Sequence, residues 1–490
     1  MSLRERAARE VKWAFVASWG RQALSVVIYA VLARLLSPSE FGLVALTTVY
    51  VALMNIFVNQ GLGMALIQRK DMRKEHVDAA FWLAIGSGTA IALATVVAAP
   101  LVSELLGDQA LVPIVIAMAP AFLLSALANV QLALKRKEME FRFLAMQSLL
   151  STLVAGACGI VLACLGAGVW SLVTQTLVSA LTTVALCWFT RGWRPSFKLD
   201  FAPLRELFGV SGKVMLGNCL AFVSQQFDRL VLGRDLGAAT LGVYAVGTRV
   251  GSLLSDAIQS PIADVALPAF AKIETAYRVG PSVAGAVELS NALTLPIATF
   301  VYLYADVLIP TVFGPQWAAA APVLRFAAVG FAIMGVCNFT WSVLMARGRT
   351  GLCLALTAID AAACAVAALI GVRYGAAGVA AAVTGRTAFC GAVGMLMLRS
   401  SLKVPLRLVC AAILRAVPAT AAVAGTIALS DLVLGKGLAS AVAAAVVGVP
   451  IYFLVLHLTA RSTFMALRDS VFAAIGRSGA AAAAPPGAQR

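Results

Sequence analysis

Six arginines stand inside long apolar stretches of this 490-residue chain: Arg21, Arg229, Arg249, Arg325, Arg386 and Arg415. Asp256 and Asp360 are the deepest acids in the same kind of surroundings. A charged side chain at the middle of a bilayer costs about 2.5–3.5 kcal/mol on insertion scales, so it is retained for binding or for pairing. Arginine offers five donors in a rigid plane, a geometry that fits two oxygens of one anionic group at once. Two chemistries follow: capture of an oxyanion within the membrane, or internal ion pairs such as Arg249 with Asp256 or Asp228. The neighbours are polar at helical spacing. Ser18, Arg21, Gln22 and Ser25 fall at i, i+3, i+4 and i+7, and Arg249, Ser252, Asp256 and Gln259 at i, i+3, i+7 and i+10. Thr48, Asn55 and Asn59 add a third stripe. Such stripes cannot face lipid, so they face protein or water.

The elements that carry these residues are membrane helices. Apolar residues make up 61% of the chain and charged residues 12%, against about 25% charged in soluble domains. A crossing helix needs roughly 20 apolar residues, and only helices and closed barrels satisfy their backbone in lipid. The segments are continuous and rich in Ala, Leu and Val rather than alternating, which makes them helices. The expected fold is all-α with fourteen spans: 12–36, 41–66, 78–102, 110–132, 143–166, 168–190, 207–232, 238–268, 285–313, 319–345, 351–372, 376–398, 408–430 and 438–459. With the N-terminus inside, 28 of the 38 Lys and Arg residues fall at inside ends and only Arg34, Arg234, Arg373 and Lys436 outside. That is the asymmetry expected of cytoplasmic loops, and it puts both termini in the cytoplasm. The net charge of +16 therefore points to anionic lipid headgroups, not nucleic acid. The basic start, MSLRERAAR, runs into a long segment that keeps Arg21, so it reads as a first span rather than a signal peptide. Nine cysteines, Cys158 to Cys410, lie in apolar segments without a CxxC pair and read as small buried hydrophobes.

At about 1.5 Å per residue, Arg21 lies roughly 13 Å from the inner end of its span, and Arg249 and Arg386 roughly 15 Å from the outer end. Arg325 is shallower. Arg229 and Arg415 are near enough to an interface to snorkel.

Shifting the chain by 200 residues aligns 31–63 with 231–263. Eight positions are identical, among them Arg34 with Arg234 and Gly42 with Gly242. A six-helix offset preserves orientation, so this is a parallel repeat about an axis along the membrane normal. The expected organisation is a lobe of six spans at 1–206, a second at 207–400 with an inner cavity between them, two further spans at 401–460 and a cytoplasmic tail at 461–490. Arg249 and Asp256 stand opposite Val49 and Ile56, so the charge belongs to one copy only. Ser37-Pro38-Ser39-Glu40 reads as a capping box opening span 2. In the tail, Phe464, Leu467, Val471 and Ile475 share a helical face beside Arg461, Arg468 and Arg477, which suits either a helix on the inner surface or a disordered end.

Chemistry on a covalent bond is not encoded visibly. His76 falls in an inside loop and His457 at the end of span 14. Outside loops are too short to build a site, and no P-loop, GxSxG or metal-spaced cluster occurs, so neither enzyme activity nor a cofactor is expected.

Three segments, ARLLSPSEFGLVAL (33–46), QGLGMALIQRKD (60–71) and GAGVWSLVTQ (166–175), resemble the Wzx-type polysaccharide flippases of the multidrug/oligosaccharidyl-lipid/polysaccharide exporter superfamily. The likeness is strongest to about residue 275 and continues weakly to about 460. It implies fourteen helices in two pseudo-symmetric lobes, alternating access, the bacterial inner membrane and an oligosaccharide on undecaprenyl diphosphate as substrate. An arginine-lined cavity suits a diphosphate headgroup, and Arg21, Arg249, Arg325 and Arg386 are the candidates to hold it. Asp256 and Asp360 would bind a coupling proton or cation, or pair with arginines. Trp19, Tyr29, Tyr50 and Trp341 would stack on sugars or anchor and pack the helices. The expected partners are the lipid-linked oligosaccharide and membrane lipids; a coupling ion and other polysaccharide-export proteins stay open. The rival readings are a drug exporter of the same superfamily, which would favour acids in its cavity, and a membrane glycan polymerase or ligase.

Overall fold

The computed structural model describes residues 20–59, 66, 73–190, 193–196, 202–259, 262, 266, 270, 276–461, 463–465 and 468. Ser18, Trp19, most of the 60–71 segment and the tail positions Leu467, Val471, Ile475 and Arg477 lie outside the described residues, as does Lys272.

The described chain is helical. Residues 20–35 form α1, followed by α2 (Pro38–Asn59), α3 (Lys74–Leu106), α4 (Leu111–Lys137), α5 (Phe141–Cys164) and α6 (Val169–Phe189). Ala202–Leu254 runs as one hydrogen-bonded stretch but breaks at Gly237, whose φ of 81° leaves the helical region. Its halves are α7 (residues 202–236) and α8 (residues 238–254). Then come α9 (Ala276–Leu303), α10 (Ala305–Phe313), α11 (Ala321–Cys337), α12 (Phe339–Ala346), α13 (Thr350–Gly371), α14 (Gly375–Leu402), α15 (Leu406–Leu434) and α16 (Leu438–Thr459). Among the described residues, eleven helical stretches are long and apolar enough to cross a membrane. Two of these, Gly217–Gln259 and Thr350–Leu402, each join two expected spans. Gly237 divides the first, and a single 3-10 turn at Val372–Tyr374 followed by Gly375 with φ 75° divides the second. Glycine fits both breaks because it alone adopts positive φ without a Cβ clash.

The chain clusters into two compact units. The first comprises 1–249, 312–323 and 357–386, and the second 250–311, 324–356 and 387–490. In the first, α3 packs along α4 and α5 along α6, and α4 also meets α2 and α6. Its core joins Leu46, Leu106, Leu111, Leu232, Leu241, Tyr244 and Val379. In the second, α15 packs on both α9 and α16.

The repeat segments meet in the first unit. Gly42 lies against the backbone of Ala238, and Gly242 against the backbone of Pro38. Position 38 corresponds to 238 and 42 to 242, so the contact is reciprocal, as a two-fold interface requires. Leu32 and Leu232 are both fully buried, as are Leu46 and Val246. The α2 capping box forms as read: Ser37 N–H donates to Glu40 Oε2 at 2.7 Å, and Glu40 N–H to Ser37 Oγ at 3.5 Å. One stripe is corrected. Residues Ser255–Gln259 form a π turn, which rotates the chain relative to a 3.6-residue helix. Asp256 is consequently exposed, while Gln259 is buried and donates to the Phe331 carbonyl at 2.8 Å. The cysteines are free thiols, yet Cys164 and Cys410 are exposed rather than buried, because an apolar side chain needs no burial in protein when its surroundings are lipid.

Candidate functional site

Among the described residues, Arg249 has no acid within ion-pair distance. It sits near the end of α8, half-buried. One guanidinium nitrogen donates to Ser25 Oγ at 3.2 Å, and the group lies 5.6 Å from the centre of the Tyr29 ring. Ser25 and Tyr29 are one helical turn apart on α1, on the stripe that begins with Arg21. Nε of Arg249 is buried without a hydrogen-bond partner among the described residues, and no described carboxylate lies within ion-pair distance of the group. A cation–π contact and one neutral hydrogen bond hold the side chain in place; neither removes its charge. Tyr29 is itself fixed edge-on against Phe41 and Phe313, at 5.3 and 5.9 Å between ring centres. Trp317, fully buried, donates to the Ala33 carbonyl at 2.7 Å and packs on Phe41. The platform under Arg249 is therefore rigid. Arg21, one turn from Ser25, is exposed.

The pairing proposed for Arg249 with Asp228 does not occur. Asp228 is 7% exposed and accepts a hydrogen bond from the Tyr244 hydroxyl instead. Arg229, half-buried, lies within electrostatic reach of Tyr29 and donates to Gln226 at 3.5 Å.

Arg386 is different. It lies 3.5 Å from Asp360 and donates to the Ser224 carbonyl, while the Ser224 hydroxyl donates to the same Asp360 carboxylate. This triad ties α7, α13 and α14 together. Arg386→Ala is expected to lower the amount of folded protein, because it strands a carboxylate whose side chain is only 27% exposed; the loss is about 2 kcal/mol, the scale of a charged hydrogen bond. Replacing both Arg386 and Asp360 by apolar residues of similar size is expected to recover most of it, as measured by thermal unfolding in detergent.

The two remaining basic residues also have acids. Arg325 pairs with Asp306, to which Lys436 also points at 3.5 Å. Arg415 pairs with Glu288 at 2.7 Å, and Thr463 donates to the same carboxylate. Snorkelling alone is thus not the fate of Arg415. Asp256 stands exposed on its π turn.

The structure therefore brings Arg249 onto the Arg21 stripe of α1 and sets Arg386, Arg325 and Arg415 in ion pairs. Sequence reasoning missed Ser224, Tyr244 and Glu288 as partners. The available signal was helical spacing: Ser224 and Asp228 are four apart on α7. The described residues contain no group of three or more His, Cys, Asp or Glu able to hold a metal ion.

Known proteins place these features in a lineage. The chain is 27% identical over 368 residues to the succinoglycan biosynthesis transport protein ExoT of Rhizobium meliloti, covering 72% of this chain and 74% of that one. It is 26% identical to the lipopolysaccharide biosynthesis protein WzxC of Escherichia coli, covering 71% and 72%. It is 24% identical to the teichuronic acid biosynthesis protein TuaB of Bacillus subtilis, covering 70% and 71%. Among solved structures, the lipid II flippase MurJ in an inward closed conformation superposes with a TM-score of 0.76, at 12% identity, over 92% of this chain and 99% of that one. An inward-facing multidrug resistance transporter of the MOP superfamily gives 0.62 at 18% identity, over 78% and 94%. These likenesses establish the fold, that of the MOP transporters. The family of polysaccharide biosynthesis proteins matches residues 31–322, well over half the chain, and this membrane protein belongs to it.

Proposed function

We propose that this protein is a flippase that carries undecaprenyl-diphosphate-linked oligosaccharide across the bacterial inner membrane by alternating access. The observation that carries the reading is Arg249, a half-buried guanidinium within an apolar helix with no described carboxylate within ion-pair distance. Among the described residues of the first unit, Arg386 is paired with Asp360, whereas Arg21 and Arg249 have no described carboxylate within ion-pair distance, which leaves two guanidiniums to offer to the two phosphates of a diphosphate. Arg21 and Arg249 are the residues assigned to that headgroup. Arg386 and Arg325 are spoken for by acids, so their part in binding is secondary. Asp360 is likewise neutralised, and Asp256 is the better candidate for a coupling proton or cation. The names of the relatives fit this direction, since one is a succinoglycan biosynthesis transport protein and another a lipopolysaccharide biosynthesis protein.

The proposed topology has fourteen spans in two pseudo-two-fold lobes, with both termini cytoplasmic. The eleven long stretches, the two breaks within them and α1 add up to that number, and the reciprocal Gly42 and Gly242 contacts support the two-fold relation. Reporter fusions after Asp108, Gly168 and Pro315 are expected to read as external, and fusions after Lys74 and Lys137 as cytoplasmic; an external signal at Lys74 would overturn the map.

The function is tested by deletion in the host. Loss of the protein is expected to remove the surface glycan and leave its lipid-linked precursor in the cytoplasmic leaflet, accessible only after the cells are opened. An intact surface glycan with heightened sensitivity to cationic drugs would favour the drug-exporter reading instead.

A further inference from the structure

The face a membrane helix exposes reveals what lies against it. The lipid-facing helices expose aliphatic side chains: Leu93, Val97, Leu101 and Leu105 on α3, and Leu414, Val417 and Leu429 on α15. Helix α7 does not. Between 217 and 233, the only exposed residues are Asn218 and Gln225. They are seven apart, two helical turns, and so share one face; Arg229 continues it one turn further. A polar amide pays heavily for facing hydrocarbon, so this face is wet.

The repeat adds a second, independent observation. Under the 200-residue offset, Asn218, Gln225 and Arg229 correspond to Ser18, Ser25 and Tyr29. Ser25 and Tyr29 are the two side chains that hold Arg249. Over the described positions the same helical face is thus polar in both copies: on α1, Ser25 and Tyr29 hold the guanidinium of Arg249, and on α7 the face carries two neutral amides with the Arg229 guanidinium at its end.

We infer that the α7 face of Asn218 and Gln225 binds the saccharide portion of the substrate, beside the site that holds its diphosphate. This rests on the reading of the protein as a transporter of lipid-linked saccharide. A side-chain amide offers two donors and a two-lone-pair acceptor without charge, which suits hydroxyl groups that must be gripped and then released. Asn218 and Arg229 stand about 16 Å apart along the helix at 1.5 Å per residue, so the face is extended, as a short glycan is, whereas a headgroup phosphate needs one compact cluster of donors.

The test uses the purified full chain in lipid nanodiscs and two probes: undecaprenyl diphosphate alone, and the undecaprenyl-diphosphate-linked oligosaccharide extracted from a host strain lacking this protein. Wild type is expected to bind the sugar-bearing lipid more tightly. Gln225→Leu and Asn218→Leu should each reduce that preference by about three- to tenfold, the worth of one or two neutral hydrogen bonds, and leave affinity for the bare lipid unchanged. Arg249→Ala should weaken both lipids equally. If the leucine variants keep the wild-type ratio, or lose both lipids alike, the saccharide site is overturned while the diphosphate reading stands. If Arg249→Ala weakens neither lipid, it is the diphosphate reading that fails.

Discussion

With protein abundance matched to wild type, Arg249→Ala is expected to lower glycan export about ten- to a hundredfold, the effect of losing a charged hydrogen bond worth about 1.5–3 kcal/mol. The argument is one of accounting for charge. Arg386, Arg325 and Arg415 already have carboxylates within 4 Å. Truncating one of these strands an acid, and the damage appears as lost protein. Among the described residues Arg249 meets the Ser25 hydroxyl and the Tyr29 ring, so its removal strands no described acid and relieves a positive charge. The variant should fold at least as well as wild type and still fail to transport. Arg249→Lys should recover export only in part, because an ammonium keeps the charge but not the two-pronged geometry. Arg21→Ala is expected to act in the same sense. Export is read as surface glycan in a deletion strain, with abundance measured on the same cells. Normal export by both alanine variants would remove these arginines from the headgroup site.

Gly42→Ala and Gly242→Ala are each expected to cost several kcal/mol of stability, enough to deplete the folded protein. A methyl group at either position runs into main-chain atoms, of Ala238 in one case and Pro38 in the other. A flexible side chain could move aside, but backbone can yield only if the two helices separate. That loosens the contact of the buried Leu46 with Gly233, so the cost exceeds the roughly 1–3 kcal/mol of ordinary overpacking. Gly86→Ala is the control. It lies inside α3 with nothing within 4 Å of the added methyl, and alanine there is expected to be neutral or slightly stabilising, since glycine is the poorer helix former by up to about 1 kcal/mol. Thermal unfolding of the purified variants measures all three. If Gly42→Ala unfolds at the same temperature as Gly86→Ala, the helices at this crossing are further apart than described.

The sequence by itself determined that this is a bundle of membrane helices, because hydrophobicity over some 20 residues is a local property and lipid admits few other folds. It also exposed the repeat and the capping box at Ser37 to Glu40, both set by residues close together or at a fixed offset. It located the intramembrane arginines, since any charge in an apolar run is visible. It did not tell which arginines were already neutralised. Arg386 meets Asp360 from 26 residues away, and Arg415 meets Glu288 from 127 residues away, while Asp228, closer in sequence to Arg249, is claimed by Tyr244. Pairing depends on which helix faces touch, and a turn such as the π segment at Ser255–Gln259 re-aims every side chain after it. Only the tertiary structure decided that Arg249 lies on the Arg21 face of α1 with no described acid beside it, because a charge is compensated across space rather than along the chain.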